Sequence, residues 1–87
     1  MAYTIQIYRE AALALKALPK LDRTNLSDLI DGLMDDPRPP HSKPLRGSLF
    51  GHHRISAGDY RAIYRIVDAQ SLVLVTDVGH RSSIYRR

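Results

Sequence analysis

The chain reads as an α+β domain in which an N-terminal strand is followed by an antiparallel pair of helices and a three-stranded antiparallel meander. The helices are expected on one face of a four-stranded twisted sheet. Three observations predict this. Apolar residues alternate with polar ones over residues 3–8, a helical period runs through residues 9–34, and two β-rich runs flank Gly58-Asp59 ahead of a third, nearly continuous apolar run at residues 72–78. With 87 residues there is material for one modest core, so a single domain over 1–87 is expected.

Tyr3, Ile5 and Ile7 alternate with Thr4, Gln6 and Tyr8, the pattern of a half-buried strand. From Arg9 the period changes, because Ala11 to Leu18 contains strong helix formers and no β-branched residue. Pro19 ends that helix. Asp22 is the expected N-cap of a second helix, where Leu26, Leu29, Ile30, Leu33 and Met34 recur at spacings of three and four. Asp28, Asp31, Asp35 and Asp36 fall away from that stripe as a solvated acidic back. Residues 37–44 hold four of the five prolines and are expected to be a stiff connecting loop. Leu45, Leu49 and Phe50 then serve as apolar anchors under the sheet.

The run His52–Ile66 is expected to fold back on itself at Gly58-Asp59. A turn centred there pairs Ser56 with Arg61, Arg54 with Ile63 and His52 with Arg65, and places all six on one side of the sheet. His53, Ile55, Ala57, Tyr60, Ala62, Tyr64 and Ile66 take the core side. One face is therefore basic, with no carboxylate among the six, and points to a phosphate-bearing partner. After the turn signal Asp68–Ser71, Leu72–Val78 reads as a central strand covered on both faces, ending at Gly79.

Charge distribution supports an anionic partner for the C-terminal half. Formal charge is +4, but residues 1–40 carry five basic and six acidic side chains, whereas residues 41–87 carry eight and three, together with all four histidines. There is no cysteine, which excludes a disulfide framework or a thiolate metal site and suits a reducing cytoplasm. Charges at Arg9 and Glu10 disfavour a signal peptide, and no apolar run reaches membrane-spanning length. His52 and His53 are adjacent on a strand and point to opposite faces, so a metal shell is not expected.

Leu45-Arg46-Gly47, Gly58-Asp59-Tyr60-Arg61-Ala62-Ile63-Tyr64 and Val78-Gly79-His80-Arg81-Ser82-Ser83-Ile84-Tyr85-Arg86-Arg87, in this order of elements, resemble the RelE/ParE superfamily of bacterial and archaeal toxins. The resemblance covers essentially the whole chain. It implies the toxin of a type II toxin–antitoxin pair, neutralised by a separately encoded, RelB-like antitoxin that wraps around it. RelE-type members cut messenger RNA in the ribosomal A site without a metal or cofactor. By that resemblance Arg61 and Arg81 match arginines that hold the scissile phosphate, and Tyr85 matches a tyrosine that orients the attacking 2′-hydroxyl or stacks on substrate. Arg54 and His52 stand where RelE has catalytic-region lysines; arginine stays protonated and binds phosphate, whereas His52 is suited to accept a proton. Arg81 or His80 would assist departure of the 5′-oxygen. Lys43, Arg46, Arg65, His80, Arg86 and Arg87 complete an RNA-contacting surface. The isolated toxin is expected to be a monomer, forming a higher-order complex with its antitoxin. The rival implied by the same resemblance is a ParE-like inhibitor of DNA gyrase, and a third reading is a nucleic-acid-binding homologue without catalysis.

Overall fold

The computed structural model describes residues 2–85. Its elements are β1 (Thr4–Ile7), α1 (Arg9–Lys16), α2 (Lys20–Gly32), β2 (Lys43–Pro44), β3 (His52–Ala57), β4 (Tyr60–Val67) and β5 (Leu72–His80), with 3₁₀ turns at Gly47–Leu49 and Asp68–Gln70. They form one five-stranded sheet in the order β1-β5-β4-β3-β2. β1 pairs parallel with β5 and every other pair is antiparallel. The helical pair thus serves as part of the long crossover that a parallel pairing needs.

The expected class holds, with one strand more than the four expected. Lys43-Pro44 pairs with Arg54 and His53 as a two-residue edge. Proline is tolerated there because an edge strand has one side on which no N–H is needed. The β3–β4 register is the expected one: Ser56 with Arg61, Arg54 with Ile63, His52 with Arg65. Gly58 has φ +59, so the turn itself favours glycine; a Cβ there would meet Asp22 Oδ1 of α2 at 3.4 Å, an ordinary contact.

Ala11, Leu26 and Ile30 from the helices and Leu33 at the α2 C-cap meet Ile55, Ala57, Ala62, Tyr64, Val73, Val75 and Val78 in the core. α2 begins one turn earlier than its aspartate suggested. Pro19, with φ −52 and ψ 146, is its N-cap, and Asp22 sits inside the first turn, where a negative charge complements the helix dipole. Met34, expected in the apolar stripe, lies beyond the helix and is 40% exposed. Phe50, expected as an anchor, is 82% exposed.

β5 is fully buried along one face only, through Val73, Val75 and Val78, and half-buried along the other, where Ile84 packs on Gly79. Between Ile63 and Tyr64 of β4 its register shifts, pairing Ile63 with Asp77 and Tyr64 with Val75, so Thr76 is the extra residue of a bulge. That shift explains why Val73, Val75 and Val78 share the core face despite the gap of three. Leu72 and Leu74 remain half-buried on the open face.

The proline-rich loop is pinned at two points. The Tyr64 hydroxyl, fully buried, donates to the Pro37 carbonyl at 2.8 Å. Arg38 grips Asp68 with both guanidinium nitrogens, at 3.2 and 2.8 Å, and Tyr3 donates to the same carboxylate at 2.7 Å. These bonds hold Asp68 well below the ordinary carboxylate value, at about 2. They tie the loop to β1 and the β4–β5 turn, and so set where β2 begins.

Candidate functional site

The face of the sheet away from the helices carries an open groove of about 420 Å³, lined by Leu45, Arg54, Arg61, Arg81, Ser82 and Tyr85. Arg54 and Arg61 come from β3 and β4, where the hairpin register puts them on the open face one pair apart. Between them is Ser56. Its Oγ accepts from Arg61 Nη1 and, at 3.3 Å, from Arg54 Nη1. Two like-charged guanidiniums thus converge on one neutral oxygen. Among the described residues neither of them forms an ion pair, the two ion pairs being Arg38–Asp68 and Arg81–Asp59. A site with paired, uncompensated guanidiniums favours a bidentate oxyanion such as a phosphate.

Arg81 reaches the groove by a different route. β5 ends at His80, and the Ile84 N–H donates to the His80 carbonyl at 3.0 Å, closing one helical turn that folds the chain back over the sheet. Ile84 is buried and packs on Gly79, where a Cβ would lie 3.7 Å from its side chain. Alanine would fit there in ordinary contact, whereas a larger side chain would have to displace Ile84. This packing sets Arg81, Ser82 and Tyr85 along the groove. Arg81 is further held by the hairpin turn: its N–H donates to the Asp59 carbonyl at 2.8 Å, and Nε stands 3.4 Å from Asp59 Oδ1. Both side chains are more than half exposed, so an incoming phosphate competes with Asp59 for Arg81 in high dielectric.

Of the residues singled out from the sequence, Arg54, Arg61, Arg81 and Tyr85 therefore come together. Lys43 stands opposite Arg54 across β2–β3 and extends the positive rim. His52 is on the same face but one pair further along, opposite Arg65, and does not line the groove; its Nδ1 is buried with no hydrogen-bond partner among the described residues. Arg46 and Arg65 are exposed on the loop and on β4. His80 departs from expectation. It pairs with Tyr60, whose ring packs on the core side, and meets it edge-on at 5.4 Å, so it points away from the arginines. Its Nδ1 accepts the Ser82 N–H at 3.1 Å, which assigns the proton of the neutral ring to Nε2. Arg86 and Arg87 lie outside the described residues. His53 takes the core side as expected, stacked on Tyr64 at 5.5 Å, and burial lowers its pKa.

Leu45, Ser56, Asp59 and Ser82 belong to the site but were not singled out for it. The expected hairpin register already faced Ser56 toward Arg61, so that signal was present; the contact of Asp59 with Arg81 had none, because it depends on where the chain after β5 returns. Among the described residues no three His, Asp or Glu side chains gather as a metal shell, and no helix is long and apolar enough to cross a membrane.

The geometry agrees with what the chain is similar to. Toxin RelG of Mycobacterium tuberculosis is 33% identical over 87 residues, spanning 100% of both chains. The toxin–antitoxin complex RelBE2 from the same organism contains a chain that superposes with TM-score 0.81 at 30% identity, covering 93% of this chain and 100% of that one. An archaeal RelE–RelB complex from Pyrococcus horikoshii gives TM-score 0.80 at 26% identity, covering 95% and 99%. The family model for the ParE toxin of type II toxin–antitoxin systems, parDE, matches residues 6–85, almost all of the sheet, both helices and the returning segment that carries Arg81 and Tyr85, and the chain belongs to that toxin family.

Proposed function

We propose that this toxin is a RelE-like endoribonuclease that cuts messenger RNA in the ribosomal A site, in the cytoplasm, by attack of a ribose 2′-hydroxyl on its own 3′-phosphate. The observation that carries the reading is the groove, where three guanidiniums and one phenol meet with two of the guanidiniums free of carboxylates among the described residues. Arg54 and Arg61 bind the non-bridging oxygens and stabilise the charge that develops on phosphorus. Arg81, once released from Asp59, neutralises the departing 5′-oxygen. Tyr85, 41% exposed at the groove, orients the 2′-hydroxyl and, as its phenolate, accepts the proton. His52 lies one pair further along, opposite Arg65 and outside the groove lining, so it supports the basic face there. The ribosome supplies the alignment that an open groove does not.

A RelB-like antitoxin, as in the RelBE2 and RelE–RelB complexes, would neutralise the toxin by laying acidic and apolar side chains over the groove. Primer-extension mapping of messenger 5′ ends in a bacterial translation extract tests the activity. New ends inside ribosome-bound codons are expected with the parent. Arg61→Ala and Arg81→Ala should each reduce them by roughly 10²–10³-fold, as for loss of a transition-state donor. The match to a ParE family model favours one alternative, inhibition of DNA gyrase. Loss of supercoiling activity with no new messenger ends would replace the nuclease reading by that one.

A further inference from the structure

Phe50, the single phenylalanine of the chain, is the most exposed large apolar side chain among the described residues. It is not on a loose segment. The Leu45 N–H donates to the His52 carbonyl at 2.9 Å and closes the loop at its base, and the Phe50 N–H donates to Gly47 O at 3.0 Å. Glycines with φ +66 and +93, Gly47 and Gly51, make the sharp reversals on either side. The ring is thus presented outward on a fixed backbone, at the end of a loop whose base residue, Leu45, lines the arginine groove. The sequence on either side says what fits it. From His41 to Gly58 there is no carboxylate, while Lys43, Arg46, Arg54, His41 and His52 lie in that stretch and His53 turns to the core side. A flat apolar ring carried on a cationic stretch of chain suits a ligand with flat faces strung on negative charge.

We propose that Phe50 is a stacking platform for an unpaired nucleobase of RNA whose phosphate backbone runs along the arginine groove. This rests on the RNA reading above and adds the residue that grips a base outside the scissile phosphate. Stacking on the ring holds the strand without reading its sequence, and Arg46, exposed in the same loop, secures a neighbouring phosphate.

The chain contains no tryptophan, so Phe50→Trp keeps a flat ring and installs a unique fluorophore at the platform. Its emission is titrated with a short single-stranded messenger oligonucleotide carrying 2′-O-methyl riboses, which cannot be cleaved, and separately with ribosomes lacking message. Quenching by the oligonucleotide assigns the base to the messenger, and quenching by empty ribosomes alone assigns it to ribosomal RNA. Phe50→Leu, which keeps apolar volume and removes the ring, should weaken binding of the quenching RNA about 5- to 100-fold with an unchanged thermal midpoint. Absence of quenching with both ligands, or a Phe50→Leu affinity within about twofold of the parent, overturns the platform. Arg61→Ala separates the two readings. If the parent binds and Arg61→Ala weakens binding while the Phe50 variants behave alike, the platform alone fails; if the parent binds neither RNA, both readings fall.

Discussion

Replacing Tyr64 by phenylalanine removes one oxygen from a place where water has no access. Tyr64 is 0% exposed, its hydroxyl donates to Pro37 O at 2.8 Å, and Pro37 is itself buried. Burial also pushes the phenol pKa up, so the group remains a neutral donor. The ring, stacked on His53, keeps its packing, so the variant isolates the hydrogen bond. Leaving a buried carbonyl without its donor costs about 1–3 kcal/mol. For a domain of this size each 1 kcal/mol corresponds to about 4–8 °C, so the thermal midpoint should fall by roughly 4–24 °C. Circular-dichroism melts and urea titrations measure it, with an unchanged urea m-value showing that stability alone has moved. Tyr60→Phe is the control, since its ring meets His80 edge-to-face and its hydroxyl has no hydrogen bond among the described residues. The loop should also loosen where it leads into β2, seen as faster hydrogen exchange of the Leu45 amide. A midpoint within about 2 °C of the parent would mean that the Pro37 carbonyl finds another donor and that Tyr64 does not pin the loop.

Asp68 makes stability fall in acid. Arg38 and then Tyr3 hold its folded pKa at about 2, below the ordinary 3.8, so its contribution is present above pH 3.8 and is lost as pH falls toward 2. Thermal midpoints at fixed ionic strength should drop more steeply from pH 4 to 2 in the parent than in Asp68→Asn, and 1 M salt should shrink the difference, because both Arg38 and Asp68 are about half exposed. Parallel curves would refute this. In the groove, Ser56→Ala removes the acceptor shared by Arg54 and Arg61, and should slow single-turnover cleavage about 2- to 12-fold at unchanged thermal midpoint, with Ser56→Thr restoring it. Equal rates for all three proteins would show that the two guanidiniums hold their positions without it.

Much of the fold was legible because it rests on local chemistry. Alternation in Tyr3–Ile7, helix formers in Ala11–Leu18, and Gly58-Asp59 between two β-rich runs each decide a short segment by backbone preference and by which side chains avoid water. The hairpin register followed from its turn, and with it the shared face of Arg54, Ser56 and Arg61. Errors arose where distant parts compete. Phe50 looks like an anchor by hydrophobicity, yet the two glycine reversals turn it outward, and Met34 continues the helical period past the point where the helix has ended. His80, the last residue of β5, takes the core side with Tyr60, whereas Arg81 beside it in sequence begins the turn that folds back over the open face.

The amino-acid order by itself determined the α+β class, the basic half, the hairpin and the arginines that share its open face, because each depends on period, turn chemistry or net charge. Only the tertiary structure decided the parallel pairing of β1 with β5, the bulge at Thr76 that carries Val78 to the core, the edge strand at Lys43-Pro44, and the return of Ile84 onto Gly79. The last of these builds the groove. Arg81 and Tyr85 join Arg54 and Arg61 only because a buried isoleucine finds the space left by a missing side chain, a long-range packing event that no local preference encodes.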